Sequence, residues 1–401
     1  MEEKMELPPF KTKGTSFLKT CFNGINALSG IGLITIPYTL SQAGWSGLAA
    51  LLSMAIVTCY TGLLLHRCLD SNPSIKNYPE IGLYAFGQKG KLIISIFMYL
   101  ELYLVPTGFL ILEGDNLHKL FPNVGFEIVG THIGGKRLFT MLAGLIILPS
   151  MWLKDLSWLS FVSAGGVLST ILVTGSVFWV GGFDGVGFSS NRGQEVFNLK
   201  GIPTALSLYA FCYGAHPVFP TLYSSMKDKT RFPKVLFISF GLSTMSYMLM
   251  AVVGYLMFGQ HVESQVTLNL PTNKVSSKIA IYTTLAGPIA KYALIITPIA
   301  NAIESQVSTH RLSCIIIRTL LLLSTVFVAL LFPFFGLLMA LVGAILNVTV
   351  SILLPCICYL KIFGGKKWRY EFVIIVGIIL VAILVGVMGT YSSIVQIMKH
   401  I

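Results

Sequence analysis

The chain has 401 residues, of which 54% are hydrophobic and only 11% are charged, and its mean hydropathy is +0.78. Because a water-soluble domain carries about 25% charged residues, this composition excludes an ordinary soluble protein. The formal net charge of +12 lies in short loops between apolar runs, so it indicates membrane orientation and argues against a nucleic-acid-binding surface.

About 20 consecutive apolar residues are needed for a helix to cross the hydrocarbon core of a membrane. The hydropathy pattern predicts eleven such segments, numbered 1 to 11 in chain order, at 17–43, 46–66, 91–114, 137–153, 158–182, 201–225, 234–257, 279–304, 311–331, 334–359 and 371–396. Segment 4 is short and is interrupted by Pro149. A shorter helix at 78–87 is expected to lie on the membrane surface. The sequence therefore predicts an all-α membrane protein with a short cytosolic tail, residues 1–16.

The positions of Lys and Arg predict the orientation in the membrane. With a cytosolic N-terminus, eighteen of the 28 basic residues lie on the cytosolic side and eight on the opposite side, while Lys291 and Arg318 lie inside segments. Cytosolic loops of membrane proteins are enriched in Lys and Arg. The bias predicts a cytosolic N-terminus and, because the number of segments is odd, a C-terminus on the other side.

Two segments contain residues that disfavour a continuous helix near the middle of the membrane. Segment 1 contains the glycine-rich run 23–32, and each glycine costs about 1 kcal/mol relative to alanine in a helix. Segment 6 contains Pro217 and Pro220, which remove backbone donors. Either interruption alone is compatible with a simple kink or with close helix packing. Unpaired backbone at this depth is tolerated where it lines an enclosed or water-filled cavity.

The relative position of the two interruptions favours one architecture. Segments 1 and 6 begin two successive sets of five segments, and paired interruptions of this kind indicate an inverted-repeat transporter. We therefore predict a first five-helix repeat at 17–182, a second at 201–359 and an additional helix at 371–396. Half-helix N-termini attract a carboxylate, and half-helix C-termini attract an ammonium group or a cation. A zwitterionic amino acid matches both ends, although other solutes also use broken helices.

Three stretches resemble the amino acid/auxin permease family, and more closely its plant-type vacuolar amino acid transporter branch. They are FNGINALSGIGLITIPYTLSQAG at 22–44, ELYLVPTGFLILEGDNL at 101–117 and YAFCYGAHPVFPTLYSSM at 209–226. The resemblance covers the chain from Lys13 onward. It implies an eleven-helix inverted-repeat fold, secondary active transport usually coupled to protons, and a vacuolar membrane protein with a cytosolic N-terminus and a lumenal C-terminus.

The resemblance also implies a binding site at the two interruptions. The substrate carboxylate is expected at the first interruption and the amino group at backbone carbonyls of the second, while nearby aromatic side chains are candidates for setting substrate size. Most aromatic residues in a helical bundle serve packing, so few of them are expected to have this role. The residues assigned to the site are Asn26, Ser29, Gly30, Ile31, Gly32, Tyr103, Phe211, Tyr213, Gly214 and His216.

Three ionisable residues inside segments are candidates for proton coupling, because buried charge in a membrane is costly and commonly functional. Glu101 shares a helix face with Gly108 and Leu112, so its carboxylate is expected to face the bundle, where it could carry a proton or form a structural hydrogen bond. Lys291 lies in segment 8, where inverted-repeat sodium symporters hold sodium. Its ammonium group could replace that cation, or could form a permanent ion pair, for which Glu101 is the candidate partner. His216 could titrate or could cap freed backbone groups.

No enzyme motif, metal-spaced cluster or cofactor motif occurs in the sequence, and the seven cysteines lie in or beside apolar segments without a CxxC pair. The sequence therefore predicts a proton-coupled transporter with amino acids, protons and the lipid bilayer as partners. Few fixed charges in the pocket favour neutral amino acids. Two alternatives stay open: a sensor or receptor built on the same fold, and a transporter of another small solute such as auxin or a polyamine.

Overall fold

Helices form almost all of the structure. The computed structural model describes residues 14–128, 131–153, 160–189, 192–307, 310–364 and 369–400. Most of the predicted tail, 1–16, lies outside these residues. The α-helices in chain order are α1 (Phe17–Leu28), α2 (Gly32–Ala43), α3 (Gly47–Asp70), α4 (Tyr78–Leu120), α5 (Gly135–Met151), α6 (Ser160–Phe183), α7 (Ile202–Cys212), α8 (Phe219–Ser225), α9 (Phe232–Phe258), α10 (Val275–Val307), α11 (Arg311–Leu331), α12 (Phe335–Val342), α13 (Leu354–Phe363) and α14 (Arg369–His400). A small antiparallel hairpin, β1 (Phe126–Ile128) and β2 (Thr131–Ile133), lies between α4 and α5.

Every predicted segment coincides with one helix or with a set of consecutive helices. Eight helices in the described ranges are long and apolar enough to cross a membrane. The remaining three segments contain no single helix of the required length. Two of them are interrupted pairs, α1–α2 and α7–α8, and the third is α5, which has 17 residues. The prediction of an all-α membrane protein is confirmed. The count of eleven crossings and the division into two repeats stay predictions.

Helix α4 begins with a short arm that corresponds to the predicted helix at 78–87. Its first turn is fixed by a reciprocal capping box, in which Asn77 accepts from the backbone of Glu80 and the Glu80 carboxylate accepts from the backbone of Asn77. Gly87 has φ 68°, a conformation that favours glycine, and it separates this arm from the long part of α4. The placement of the arm on a membrane surface stays a prediction.

Segment 10 is continuous but contains a π-helical stretch, Gly343–Leu353, between α12 and α13. Wider turns of this kind are rare and occur frequently at functional sites. Two of its carbonyl groups accept hydrogen bonds from other helices: that of Val350 from the Tyr78 hydroxyl (2.5 Å) and that of Ser351 from the Thr61 hydroxyl (2.6 Å). The π-helical stretch is thereby fixed to α3 and α4 through its own backbone.

The helices pack in two groups that determine where the candidate site lies. In the first group, called the bundle, α2 packs against α3, α7 and α9, and α1 packs against α9. In the second group, called the scaffold, α4, α5, α10 and α11 pack against one another. Helix α6 contacts α1 and α9 of the bundle and α10 of the scaffold. The surface between bundle and scaffold is therefore bordered by α1, α2, α4, α6 and α10.

A buried ion pair holds three scaffold helices together. The Arg318 guanidinium on α11 donates to Glu304 on α10 (2.6 Å) and to the Asn301 side chain (3.1 Å). It also donates to the carbonyls of Met151 (3.2 Å) and Leu153 (3.4 Å), at the C-terminal end of α5. The two charged side chains are only 5% and 12% exposed. Neither charge reaches solvent by extending along the helix; each is neutralised inside the scaffold.

We expect Arg318→Met to destabilise the protein by about 3–5 kcal/mol, because it leaves a buried carboxylate and two backbone carbonyls without their donor. The double variant Arg318→Met/Glu304→Gln should recover part of this loss, since it no longer buries an unpaired charge. The matched control is Arg231→Met, which removes an exposed ion pair with Asp228 and should cost less than about 1 kcal/mol. Thermal unfolding in detergent measures all three. Equal unfolding temperatures for Arg318→Met and Arg231→Met would contradict the assigned role.

Candidate functional site

The first break, residues 29–31, separates α1 from α2. Helix α1 ends where the Ser29 backbone N–H donates to the carbonyl of Ile25 (2.6 Å), and α2 begins at Gly32. The residue before α2, Ile31, makes no side-chain capping hydrogen bond. The first N–H groups of a helix have no partner within the helix, and they carry its partial positive charge. The Leu33 N–H donates to the carbonyl of Gly30 (3.3 Å), and no side chain caps the start of α2, so the first break presents N–H donors suited to an anion.

The second break, residues 213–218, separates α7 from α8 and contains a 3₁₀ turn, His216–Val218. Pro217 and Pro220 each occupy one of the first two positions of the element that follows, the 3₁₀ turn and α8 respectively. At these positions the missing N–H of proline removes no helical hydrogen bond. The prolines therefore mark where helices begin, and they do not break hydrogen bonds inside a helix.

The two breaks meet at α9. The Tyr247 hydroxyl lies 2.5 Å from the carbonyl of Leu28 and 3.1 Å from the carbonyl of Cys212, which are the last residues of α1 and α7. A Cβ added to Gly32 would lie only 2.8 Å from the Cys212 sulfur, so glycine is needed for this approach. One buried tyrosine hydroxyl, which has a single proton to donate, thus lies within hydrogen-bond distance of a carbonyl from each interrupted helix.

A cavity of about 70 Å³ lies at the first break, between bundle and scaffold. One water needs about 10–15 Å³, so the cavity accommodates a small solute or several waters. A Cβ added to Gly30 would meet no atom within 4 Å, which means that this backbone faces open space. The lining residues are Ser29, Gly30, Ile31, Leu33, Ile34, Phe109, Gly166, Ser169, Thr170, Val173, Thr284, Gly287, Pro288 and Lys291.

The polar groups of the cavity are hydroxyls and one ammonium group. The hydroxyl of Ser29 pairs with Ser243 (3.2 Å), and that of Thr170 donates to the carbonyl of Gly166 (3.1 Å). The Thr284 hydroxyl differs, because it has no hydrogen-bond partner among the described residues although Thr284 is only 7% exposed. Buried hydroxyls are normally hydrogen-bonded. The Thr284 hydroxyl is therefore available to a bound molecule.

Among the described residues of this lining, Lys291 supplies the only charged side chain. Its ammonium group donates to the carbonyl of Asn26 in the last turn of α1 (3.4 Å), at the negative end of that half-helix. In the described ranges no carboxylate forms an ion pair with Lys291. The pairing with Glu101 that the sequence left open is not formed. The ammonium group instead occupies a position where a half-helix attracts a cation.

Glu101 is buried in α4, as its helix face predicted, but it lies outside the cavity lining. One carboxylate oxygen accepts from the side-chain amide of Asn347 (2.8 Å). That amide packs against the second break, where a Cβ added to Gly214 would overlap it. Glu101 is thus connected to the second break through one side chain.

The remaining residues of the second break are held by direct contacts within the bundle. The Tyr213 hydroxyl pairs with Thr244 (2.8 Å), and the His216 ring pairs with the Thr61 hydroxyl (3.0 Å). Since Thr61 donates to the carbonyl of Ser351, the His216 Nε2–H is assigned as the donor to Thr61. His216 does not cap the backbone of its own break; it joins that break to α3.

The structure brings together only part of the predicted site. The first break and Lys291 line one cavity, and Asn26 contacts Lys291 beside it. The other predicted residues lie outside this lining. The Tyr103 hydroxyl donates to Ser324 on α11 (3.1 Å), Phe211 packs against the π-helical stretch, and Gly32 packs against Cys212. The remaining four lie in or beside the second break: Glu101, Tyr213, Gly214 and His216. The roles of all these residues in binding stay predictions.

Sequence reasoning missed several residues that the geometry makes prominent. Tyr247 and Asn347 are polar residues in apolar segments, which is the signal that could have identified them. Thr284 lies two helical turns before Lys291 and therefore on the same face of α10. Phe109 and Gly166 carry no such signal, because their place in the lining depends on how α4 and α6 pack.

The chain matches one family model over almost its whole length. The family is described as transmembrane amino acid transporter protein, and the match covers residues 13–399. Two relatives from Arabidopsis thaliana, the amino acid transporters AVT1I and AVT1J, are each 52% identical to the chain. The alignments cover 98% of this chain in both cases, and 98% and 94% of the respective relatives. Both relatives are named as transporters and not as enzymes.

Solved structures with little sequence similarity share the fold. The inward-facing conformation of Mhp1 matches with a TM-score of 0.59 at 14% identity, covering 99% of this chain and 94% of that one. MhsT in complex with L-phenylalanine matches with a TM-score of 0.57 at 12% identity, covering 94% and 98%. These likenesses support the fold, and the sequence matches support the family that the three motifs indicated. The chain belongs to the transmembrane amino acid transporter family.

Proposed function

We propose that the protein carries neutral amino acids across an endomembrane by alternating access coupled to protons. The observation that carries this proposal is the cavity at the first break, which lies between bundle and scaffold and is bordered by an uncapped half-helix N-terminus. A site between two packed groups can be exposed to either side of a membrane when one group moves relative to the other. The relatives named above are called amino acid transporters.

Three features of the cavity suit the carboxylate of an amino acid. The N-terminus of α2 supplies N–H donors and partial positive charge. The Lys291 ammonium supplies a full positive charge, and the Thr284 hydroxyl supplies a donor without another partner in the described chain. The amino group is assigned to the backbone carbonyls of the second break, around Gly214, which are proposed to approach the cavity during the cycle.

The walls of the cavity suit a neutral side chain. They consist largely of apolar residues, among them Phe109 and Val173, and none of the described lining residues is acidic. A cationic side chain would therefore lose hydration without gaining a counter-charge, which is costly in a buried site. The substrate is accordingly expected to be a neutral amino acid of modest size.

Lys291 is the proposed coupling residue nearest to the substrate. Its ammonium group links α10 of the scaffold to the end of α1 in the bundle through the carbonyl of Asn26. Loss of its proton would remove the charge that favours this contact and would free α1 to move. Protonation and movement between the two groups would then be linked, as proton-driven transport requires.

The membrane of residence is proposed from the resemblance to the vacuolar branch, with a cytosolic N-terminus and a lumenal C-terminus. An acidic lumen would supply the proton gradient. The distribution of Lys and Arg supports this orientation, since most of them fall on the side assigned to the cytosol.

Purified protein in liposomes with an imposed pH gradient should accumulate labelled neutral amino acids. Accumulation should collapse when a protonophore is added and should not respond to a sodium gradient. Liposomes without protein are the control. Saturable binding without flux would support the sensor alternative, and absence of both flux and binding would contradict the assigned substrate class.

Gly30→Leu should abolish uptake without unfolding the protein, because the new side chain would enter the cavity, where a Cβ meets no other atom. The matched control is Gly377→Leu, at an exposed helical position of α14 that also has no atom within 4 Å of an added Cβ. Uptake is measured after both variants are shown to elute as folded protein. Normal uptake by folded Gly30→Leu would remove the first break from the site.

Lys291→Met and Glu101→Gln should each flatten the pH dependence of uptake more than they weaken substrate binding, because each removes a group that can exchange a proton. The control is Lys278→Met, which removes an exposed ammonium group from the first turns of the same helix, α10. Uptake at a series of pH values and equilibrium binding of the substrate separate the two effects. Unchanged pH profiles in both variants would exclude the two residues from coupling.

A further inference from the structure

Asn347 is a buried polar residue that the proposed function does not yet use. It lies in the π-helical stretch and is only 1% exposed. In the sequence it belongs to an Asn-Val-Thr triplet of the type that is glycosylated on exposed loops, which its burial inside segment 10 prevents. Its side-chain nitrogen donates to Glu101 (2.8 Å). Any role of Asn347 therefore depends on its contacts inside the protein.

The same nitrogen touches the second break. A Cβ added to Gly214 would overlap it, so the amide packs directly on the backbone of this residue. Glycine is the one residue that leaves room for the contact. The amide of Asn347 thus stands between an ionisable side chain on α4 and the point at which segment 6 is unwound.

In the Glu101–Asn347 pair, two buried atoms have no hydrogen-bond partner among the described residues. They are the second carboxylate oxygen of Glu101 and the side-chain oxygen of Asn347. An ionised carboxylate can only accept, so it pairs with the NH₂ end of an amide, as observed. A protonated carboxyl has an O–H donor, for which the amide oxygen is the matching partner. Rotation of the amide by half a turn would present that oxygen to Glu101.

We propose that Asn347 is a positioning residue that transmits the protonation state of Glu101 to the second break by turning its amide. When the amide turns, the group that lies against Gly214 changes from a donor to an acceptor. The backbone at the unwound point therefore meets a different partner in each protonation state. This inference rests on the proposed proton-coupled transport and adds to it the route from Glu101 to segment 6.

The surroundings of Glu101 contain no other candidate for this role in the described part of the chain. The π-helical stretch faces it with the neutral amide of Asn347. The ionisable groups nearby are the phenol of Tyr78, on the same helix, and the thiols of Cys68, Cys356 and Cys358 around that phenol. Tyr78 donates to the carbonyl of Val350 and is already paired. No Lys, Arg or His side chain forms an ion pair with Glu101 in the described ranges.

The test uses proton-driven uptake by the full-length protein in liposomes, with four variants. Asn347→Asp places two carboxyls within hydrogen-bond reach, where they share one proton more tightly than Glu101 holds it alone. The pH at half-maximal uptake should then rise by about one unit or more. Glu101→Gln should flatten the pH profile, and the double variant Glu101→Gln/Asn347→Asp should restore a pH-dependent profile, because it recreates a carboxyl–amide pair in the reverse order.

Thr349→Val is the matched control. It removes the same glycosylation triplet from the same helical stretch, but the Thr349 side chain is half-buried and donates to the carbonyl of Ile345 in its own helix. Its pH profile should equal that of the unmodified protein. If the role of Asn347 were purely structural, Asn347→Asp would lower the amount of folded protein without moving the half-maximal pH. The double variant would then not restore a pH-dependent profile.

The outcomes separate this inference from the function on which it rests. Uptake by the unmodified protein that does not vary with pH overturns both. Uptake that varies with pH, with a half-maximal value unmoved by Asn347→Asp and no rescue in the double variant, overturns the inference alone. If Asn347→Asp by itself fails to fold, the double variant decides: a restored pH profile supports the relay, and a flat profile refutes it.

Discussion

The membrane interior contains no water to pair with backbone groups, and the rest of this structure depends on how the protein meets that constraint at its two breaks. Interrupting α1 and α7 leaves carbonyl groups at their ends, and Tyr247 on α9 lies within hydrogen-bond distance of one from each. Gly32 and Cys212 approach closely enough for the two breaks to share this partner. A single side chain of the bundle therefore stabilises both irregular segments.

The two ends of the first break have opposite electrostatic character, and the protein treats them differently. The carbonyl end of α1 is occupied from within, by Tyr247 and by the Lys291 ammonium near Asn26. The N–H end of α2 receives no side-chain cap and borders the cavity. Because only the positive end is left open, this arrangement favours an anionic ligand. The positive counter-charge for that ligand is the Lys291 ammonium group on α10.

The parts of the site that could be predicted from sequence are those with a local cause. Gly30 and Pro217 alter the backbone wherever they occur, so the breaks were placed correctly within a few residues. The depth of Lys291 followed from its position in an apolar run, but its partner did not, because that depends on how α1 packs against α10. The same holds for Thr284 and Asn347, whose neighbours come from segments far away in the chain.

Helix α5 is short for a membrane-crossing element, and its end has a consequence for the surrounding lipid. At 1.5 Å per residue its 17 residues extend about 26 Å, less than the roughly 30 Å of an average hydrocarbon core. The Arg318 guanidinium meets the carbonyls at this end in place of headgroups or water. If α5 crosses the membrane, as the sequence predicts, the bilayer beside it would thin locally to match its length. The bilayer next to the scaffold would then be deformed at a fixed place, and membranes of different thickness would exert different forces on this side of the protein.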